Sequence, residues 1–141
     1  MSRIYWDSML FVYWIEDHPE HAPRVNQIRE KMQARGDTIC TSVFTIGEVL
    51  TGIYKRGEHE MASQIRKAFH APGIELISFR PETADRFAQI RATHKVSPAD
   101  AIHLASAADK GVELFLTNDH RLQKLTLPGI HFIAGMDVNL F

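Results

Sequence analysis

Cysteine is nearly missing. Cys40 is the only one in 141 residues, so no disulfide can form within the chain, and the composition fits a reducing compartment. An excess of one charge is also missing. Lys and Arg total 16 and Asp and Glu 17, for a net charge of -1. A global basic coat that would hold nucleic acid by charge alone is therefore excluded, and any such contact needs a local patch or a bound cation. No apolar run is long enough to span a membrane. The longest early one, Met9 to Ile15, follows Asp7-Ser8 directly and stops at Glu16-Asp17-His18-Pro19. It lacks the layout of a signal peptide. The expectation is a soluble, cytoplasmic protein. Repeats and low-complexity tracts are absent too.

What is present is globular: 45% hydrophobic and 23% charged residues, within the length of one domain, here residues 1–141. Short apolar runs alternate with helical patterns. Ile4-Tyr5-Trp6, Thr38 to Thr41, Ile74 to Ile77, Val112 to Leu116 and Ile130 to Ala134 read as strands. Between them, Arg24 to Arg35 carries Val25, Ile28 and Met32 at helical spacing before Gly36. Ser42 caps a helix with Val43, Ile46, Val49, Leu50 and Ile53 on one face. Glu58 to His70 turns Met61, Ile65, Ala68 and Phe69 inward, and Pro81 opens a helix carrying Ala84, Phe87, Ala88 and Ile90. Ser97-Pro98-Ala99-Asp100 starts another, and Leu122 and Leu125 suggest a short one. This alternation predicts an α/β fold in three layers, with a central, mostly parallel sheet of five strands and helices on both faces.

In such sheets chemistry gathers beyond the carboxyl ends of the strands, where strand order reverses. Asp7 directly follows the first strand, and Asp119 follows Thr117-Asn118 past the fourth. Thirteen helical residues span about 20 Å and a five-residue strand about 17 Å. The helix leading into the fourth strand therefore returns its first turn, with Asp100, to the same edge. Glu48 is the only charge between Asp37 and Lys55, and it joins the group if its helix leans over the sheet. Four carboxylates repel unless some are protonated or a cation intervenes. Mg²⁺ or Mn²⁺ takes such oxygen ligands, and the ion can activate water for phosphodiester hydrolysis.

The residues Asp7-Ser8, Glu48-Val49-Leu50-Thr51-Gly52-Ile53, Ser97-Pro98-Ala99-Asp100-Ala101-Ile102-His103-Leu104-Ala105 and Leu116-Thr117-Asn118-Asp119, in this order, resemble the PIN-domain ribonucleases. The likeness is greatest to the VapC-type toxins of toxin–antitoxin pairs. The resemblance implies a Mg²⁺- or Mn²⁺-dependent endoribonuclease. Asp7, Glu48, Asp100 and Asp119 then take the acidic, metal-binding positions, and Ser8 and Thr117 the hydroxyl positions lining the site. It also implies a homodimer and a small antitoxin protein that places a basic side chain in the acidic pocket. The chain departs at one place: many relatives have Asn where Asp119 stands and an acid three residues later, where this chain has Leu122.

Structural roles compete at each position. Asp100 and Asp7 could serve helix starts, and Asp119 a turn. His103 lies one helical turn from Asp100 and is expected as a structural partner. His120 beside Asp119 could reach a phosphate but is expected simply exposed. Arg121 could contact an RNA backbone together with Lys55 and Arg56, or merely end a local element. His18 and His21 lack the further ligands a structural zinc needs. Two other functions stay open: a non-catalytic binding module, and aspartyl-phosphate phosphotransfer on Asp7. For the latter, Met9 stands where a second Asp is required, and no Lys follows the last strand.

Overall fold

The computed structural model describes residues 1–141. Its five strands are β1 (Arg3–Trp6), β2 (Thr38–Ser42), β3 (Ile74–Ile77), β4 (Leu114–Leu116) and β5 (Phe132–Ala134). They form one parallel sheet in the order β3-β2-β1-β4-β5. The helices are α1 (Ser8–Ile15), α2 (Ala22–Arg35), α3 (Val43–Lys55), α4 (His59–Ala68), α5 (Pro81–Thr93) and α6 (Pro98–Lys110), with a short 3-10 turn at Leu122–Lys124. None is long and apolar enough to cross a membrane. The α/β expectation holds, and strand order reverses between β1 and β4.

Period-two alternation divides β1 between two cores. Ile4 and Trp6 join Leu10, Phe11, Val25 and Phe69 on the face covered by α1 to α4. Tyr5 enters the opposite core with Cys40, Leu104 and Phe115, beneath α5 and α6. Small residues let α6 lie close to the sheet: Ala101, Ala105 and Ala107 are fully buried.

Several helix faces differ from the hydrophobic pattern. Met61 and Val43 point outward, while Ala62, Ile65 and Phe69 face inward from α4 and its C-cap. Ala84 and Ala88 of α5 are exposed, and Thr83 is buried in their place. The reason is a hydrogen bond: the Thr83 hydroxyl donates to the Asp109 carboxylate of α6. A buried acceptor needs a donor, which outweighs the small gain from burying an alanine methyl. The last two strands are shorter than expected, beginning at Leu114 and Phe132.

Candidate active site

The crevice beside the β1–β4 reversal is where two chain segments leave the sheet. The Asp7 backbone N–H donates to the Leu116 carbonyl at 3.1 Å, which fixes the end of β1 against the end of β4. Asp7 stands at the N-cap position of α1, yet its side chain makes no capping bond. Its Oδ2 instead accepts from the fully buried Thr117 hydroxyl at 2.7 Å. The Asp119 N–H donates back to the same hydroxyl at 3.0 Å. Thr117 thus ties the two acidic segments together from beneath.

Ser97 caps α6 by accepting the Asp100 N–H at 3.1 Å. That leaves the Asp100 carboxylate free of capping duty, in the first turn and at the same sheet edge. The result is one cavity of about 410 Å³ lined by Asp7, Ser8, Glu48, Asp100 and Asp119, with Met9, Tyr13, His103 and Asn118. Thr117 lies below it, and Arg121 lies outside its lining.

Glu48 comes to the cavity on α3 and is held there by a chain of bonds that runs from the part-exposed carboxylate into the core. Ser8 Oγ donates to Glu48 Oε1 at 2.5 Å, and His103 Nε2 meets the same oxygen at 2.5 Å. The other ring nitrogen of His103, Nδ1, meets the Tyr5 hydroxyl at 2.6 Å. Tyr5 Oη also accepts the Ser42 N–H at 3.1 Å, and Ser42 is the N-cap of α3. The helix that carries Glu48 and the imidazole that orients it are therefore fixed through one phenol.

The carboxylates differ in state. Burial pushes the Glu48 carboxyl up, but the bonds from His103 and Ser8 and the attraction to His103 prevail and hold it below its ordinary range. Burial pushes Asp100 up, the charges of Asp7 and Asp119 add to it, and the Ser97 contact does not offset them. Asp119 is held low, chiefly by Arg121. The Arg121 guanidinium grips both Asp119 oxygens, with Nε–Oδ1 at 3.2 Å and Nη2–Oδ2 at 2.9 Å, and its backbone N–H donates to Oδ1 at 2.9 Å. Of the two roles open to Arg121, the local one is formed here, as an exposed partner of a neighbouring acid, and Asp119 also serves its turn.

The donors are carboxylates and hydroxyls, both nitrogens of His103 are engaged, and no cysteine lines the cavity, whose one sulfur is the Met9 thioether. This is a hard-oxygen set of the kind Mg²⁺ or Mn²⁺ prefers. As the side chains stand, no three His, Cys, Asp or Glu residues meet at ligating distance. Tyr5, Tyr13 and Asn118 were not expected at the site. Nor was Met9, which also lines the cavity. Asn118 lies between two residues that were, a signal present in the sequence, whereas Tyr13 is marked only by its spacing to Met9 on the same face of α1.

Comparison with known proteins bears on this geometry. A family model described as the PIN domain matches residues 4–127. The chain belongs to the PIN-domain family. No curated protein sequence matches it. Among solved structures, VapBC2 from Rickettsia felis, bound to a DNA fragment from its promoter, is similar with a TM-score of 0.74 at 16% identity. It covers 94% of this chain and 98% of that one. A toxin–antitoxin complex from Klebsiella pneumoniae is similar with a TM-score of 0.68 at 21% identity, covering 90% and 94%. VapC20 of Mycobacterium tuberculosis, a toxin that cleaves the sarcin–ricin loop, matches with a TM-score of 0.68 at 15% identity, covering 87% and 96%. Likeness at these identities concerns the PIN fold.

Proposed function

We propose that residues 1–141 form a single PIN domain acting as a Mg²⁺- or Mn²⁺-dependent endoribonuclease, the toxin of a toxin–antitoxin pair. The observation that carries this reading is the shared cavity of Asp7, Glu48, Asp100 and Asp119. The raised Asp100 carboxyl supports it: burial raises it first and the charges of Asp7 and Asp119 add to that, and a bound cation would offset both.

Asp7, Asp100 and Asp119 would hold the ion, with Glu48 completing the set. When bound, such an ion neutralises phosphate charge and acidifies water for attack on phosphorus. The chain's own residues do the positioning. Thr117 holds Asp7 by one oxygen. His103 and Ser8 keep Glu48 anionic through Oε1, leaving Oε2 without a protein partner. Arg121 must release Asp119 if that carboxylate is to turn to the ion, and its guanidinium then becomes available to an RNA phosphate. No side-chain nucleophile is needed. A homodimer and a small antitoxin that delivers a basic group to the acidic cavity belong to the same reading. The solved toxin–antitoxin complexes of like fold support the antitoxin.

Asp7→Asn keeps the size and the Thr117 contact of this side chain but removes its charge. RNA cleavage in Mg²⁺ or Mn²⁺ is expected to vanish while the far-UV circular dichroism spectrum stays as in the parent. Full cleavage by the variant, with contaminating nuclease excluded, defeats the reading. Absence of Mn²⁺ binding by calorimetry in the antitoxin-free protein supports the docking-module alternative instead.

A further inference from the structure

The cavity has one wall that is not acidic, and a cluster of rings packs behind it, outside the cavity's lining. Met9 and Tyr13 lie one turn apart on α1, about 6 Å along its axis, and both line the cavity. Met9 is 44% exposed. The Tyr13 hydroxyl accepts from the Asn118 side-chain amide at 3.0 Å, so its orientation is fixed from the β4 side. Behind Tyr13 stand two imidazoles. Its ring centroid is 4.5 Å from that of His21 and 5.1 Å from that of His18. The two histidines stack at 4.9 Å with planes 24° apart.

We propose that the part-exposed His18 and His21, backed by the buried Tyr13 ring, form a stacking site for an unpaired nucleobase of the substrate RNA, next to the carboxylates that act on its backbone. The proposal rests on the ribonuclease reading above. Aromatic and imidazole faces bind unstacked bases in single-stranded RNA with little regard to sequence. The His18 plane is set by backbone: its Nδ1 accepts the N–H groups of Glu20 and His21, both at 3.2 Å. His21 stands at the N-cap position of α2 but makes no capping bond, and its side chain is 28% exposed. No hydrogen bond explains that ring's place, so packing against other rings is its role. The charges nearby favour a base over a phosphate. Glu20 lies 4.0 Å from His21 Nε2, and Asp17 is exposed on the turn before it, whereas Glu16 is paired with Arg56 at 2.6 Å. Two carboxylates disfavour a phosphate and leave a neutral base unaffected.

The test uses the full chain carrying Asp7→Asn, without divalent metal. The probe is a short unstructured RNA and a set of copies with an abasic ribose at each position in turn. At one or two positions the abasic sugar is expected to weaken binding roughly 5-fold or more, the scale of one stacked base. His21→Ala in the same background is expected to weaken the intact RNA equally and to flatten the abasic scan. His21→Phe, which keeps a flat ring, is expected to restore both. A scan that keeps its positions in the His21→Ala protein overturns the proposal, and so does a phenylalanine variant as weak as alanine. If the parent cleaves RNA with Asp7 dependence but the scan is flat, stacking alone is refuted. If the parent neither cleaves nor binds RNA, the ribonuclease reading falls with it.

Discussion

Helix α6 carries a carboxylate at each end, and the two are treated in opposite ways. Asp109, near the C-terminus, is almost wholly enclosed, with its side chain 3% exposed. It is surrounded by counter-groups: Arg86 Nε at 2.8 Å, Arg80 Nη2 at 3.8 Å and the Thr83 hydroxyl. Asp100, in the first turn, has no basic partner. Burial opposes its ionisation first, and the charges of Asp7 and Asp119 add to it, with only the Ser97 contact and an attraction from His103 against them. A carboxylate with its positive charge built in is a structural tie, here binding α5 to α6. One left beside other acids is costly to ionise, and on the proposed reading a bound cation would supply the charge it lacks.

The largest expected effect comes from removing the charge at the incomplete end. Asp100→Asn should lower RNA cleavage by about 100-fold or more, since even outer partners of a metal centre are worth 10- to 100-fold. Stability should move the other way. The folded-state pKa of Asp100 is raised, so ionising this group disfavours folding. Its contribution to stability is fully present below the unfolded-state pKa and is lost as pH rises through the folded value. At neutral pH the asparagine variant should therefore melt at or above the parent temperature, whereas at pH 3 the difference should vanish. A clear drop in melting temperature at pH 7 would show that Asp100 is structural, like Asp109, and would erase the contrast between the two ends.

Asp109→Ala should do the reverse. It leaves a buried threonine hydroxyl and two arginines without their acceptor. Breaking a fully buried ion pair costs about 3–5 kcal/mol, but both arginines here are roughly half exposed and can be rehydrated. A loss of about 1–3 kcal/mol in urea unfolding is expected, with specific cleavage activity retained by the folded fraction. Equal loss of activity and stability would mean that the α5–α6 tie reaches the cavity.

How much of this contrast is legible without coordinates differs between the two ends. The Ser97-Pro98-Ala99-Asp100 start is written plainly: a capping hydroxyl, a proline that fits the first turn, and an acid that strand and helix lengths return to the edge holding Asp7. Alternating strands and helices likewise announce the parallel sheet, though not its order. Asp109 is invisible by the same means. Arg80, Thr83, Arg86 and Asp109 read as a solvated surface, and hydrophobic periodicity places Ala84 and Ala88 inward on α5, where the demand of a buried carboxylate for donors turns Thr83 in. Patterns of apolar residues report burial of carbon. They do not report which polar groups have found one another across elements distant in sequence. Glu48 lies between these cases. Its isolation in an apolar stretch marks it, but its placement depends on Tyr5, His103 and Ser42, three partners that no spacing rule connects.

Asp119 and Arg121 refine the comparison with the smallest effect. This pair has the good geometry of the Asp109 cluster and the location of the Asp100 site. The arginine side chain is 86% exposed, so water competes for both partners and the chain gains little by holding them together. Arg121→Ala is expected to leave the melting temperature unchanged. Asp119, however, is held below its ordinary range first of all by Arg121, so its carboxyl should titrate at higher pH in the variant. A carbon-detected NMR titration of the Asp side chains reads that shift directly. With its only basic partner gone, Asp119 would join Asp100 in lacking a counter-charge, and Mn²⁺ should bind more tightly by calorimetry. Weaker Mn²⁺ binding would instead mean that Arg121 orients Asp119 for the ion, and that this pair is part of the site's frame, as Arg86 and Asp109 are part of the fold's.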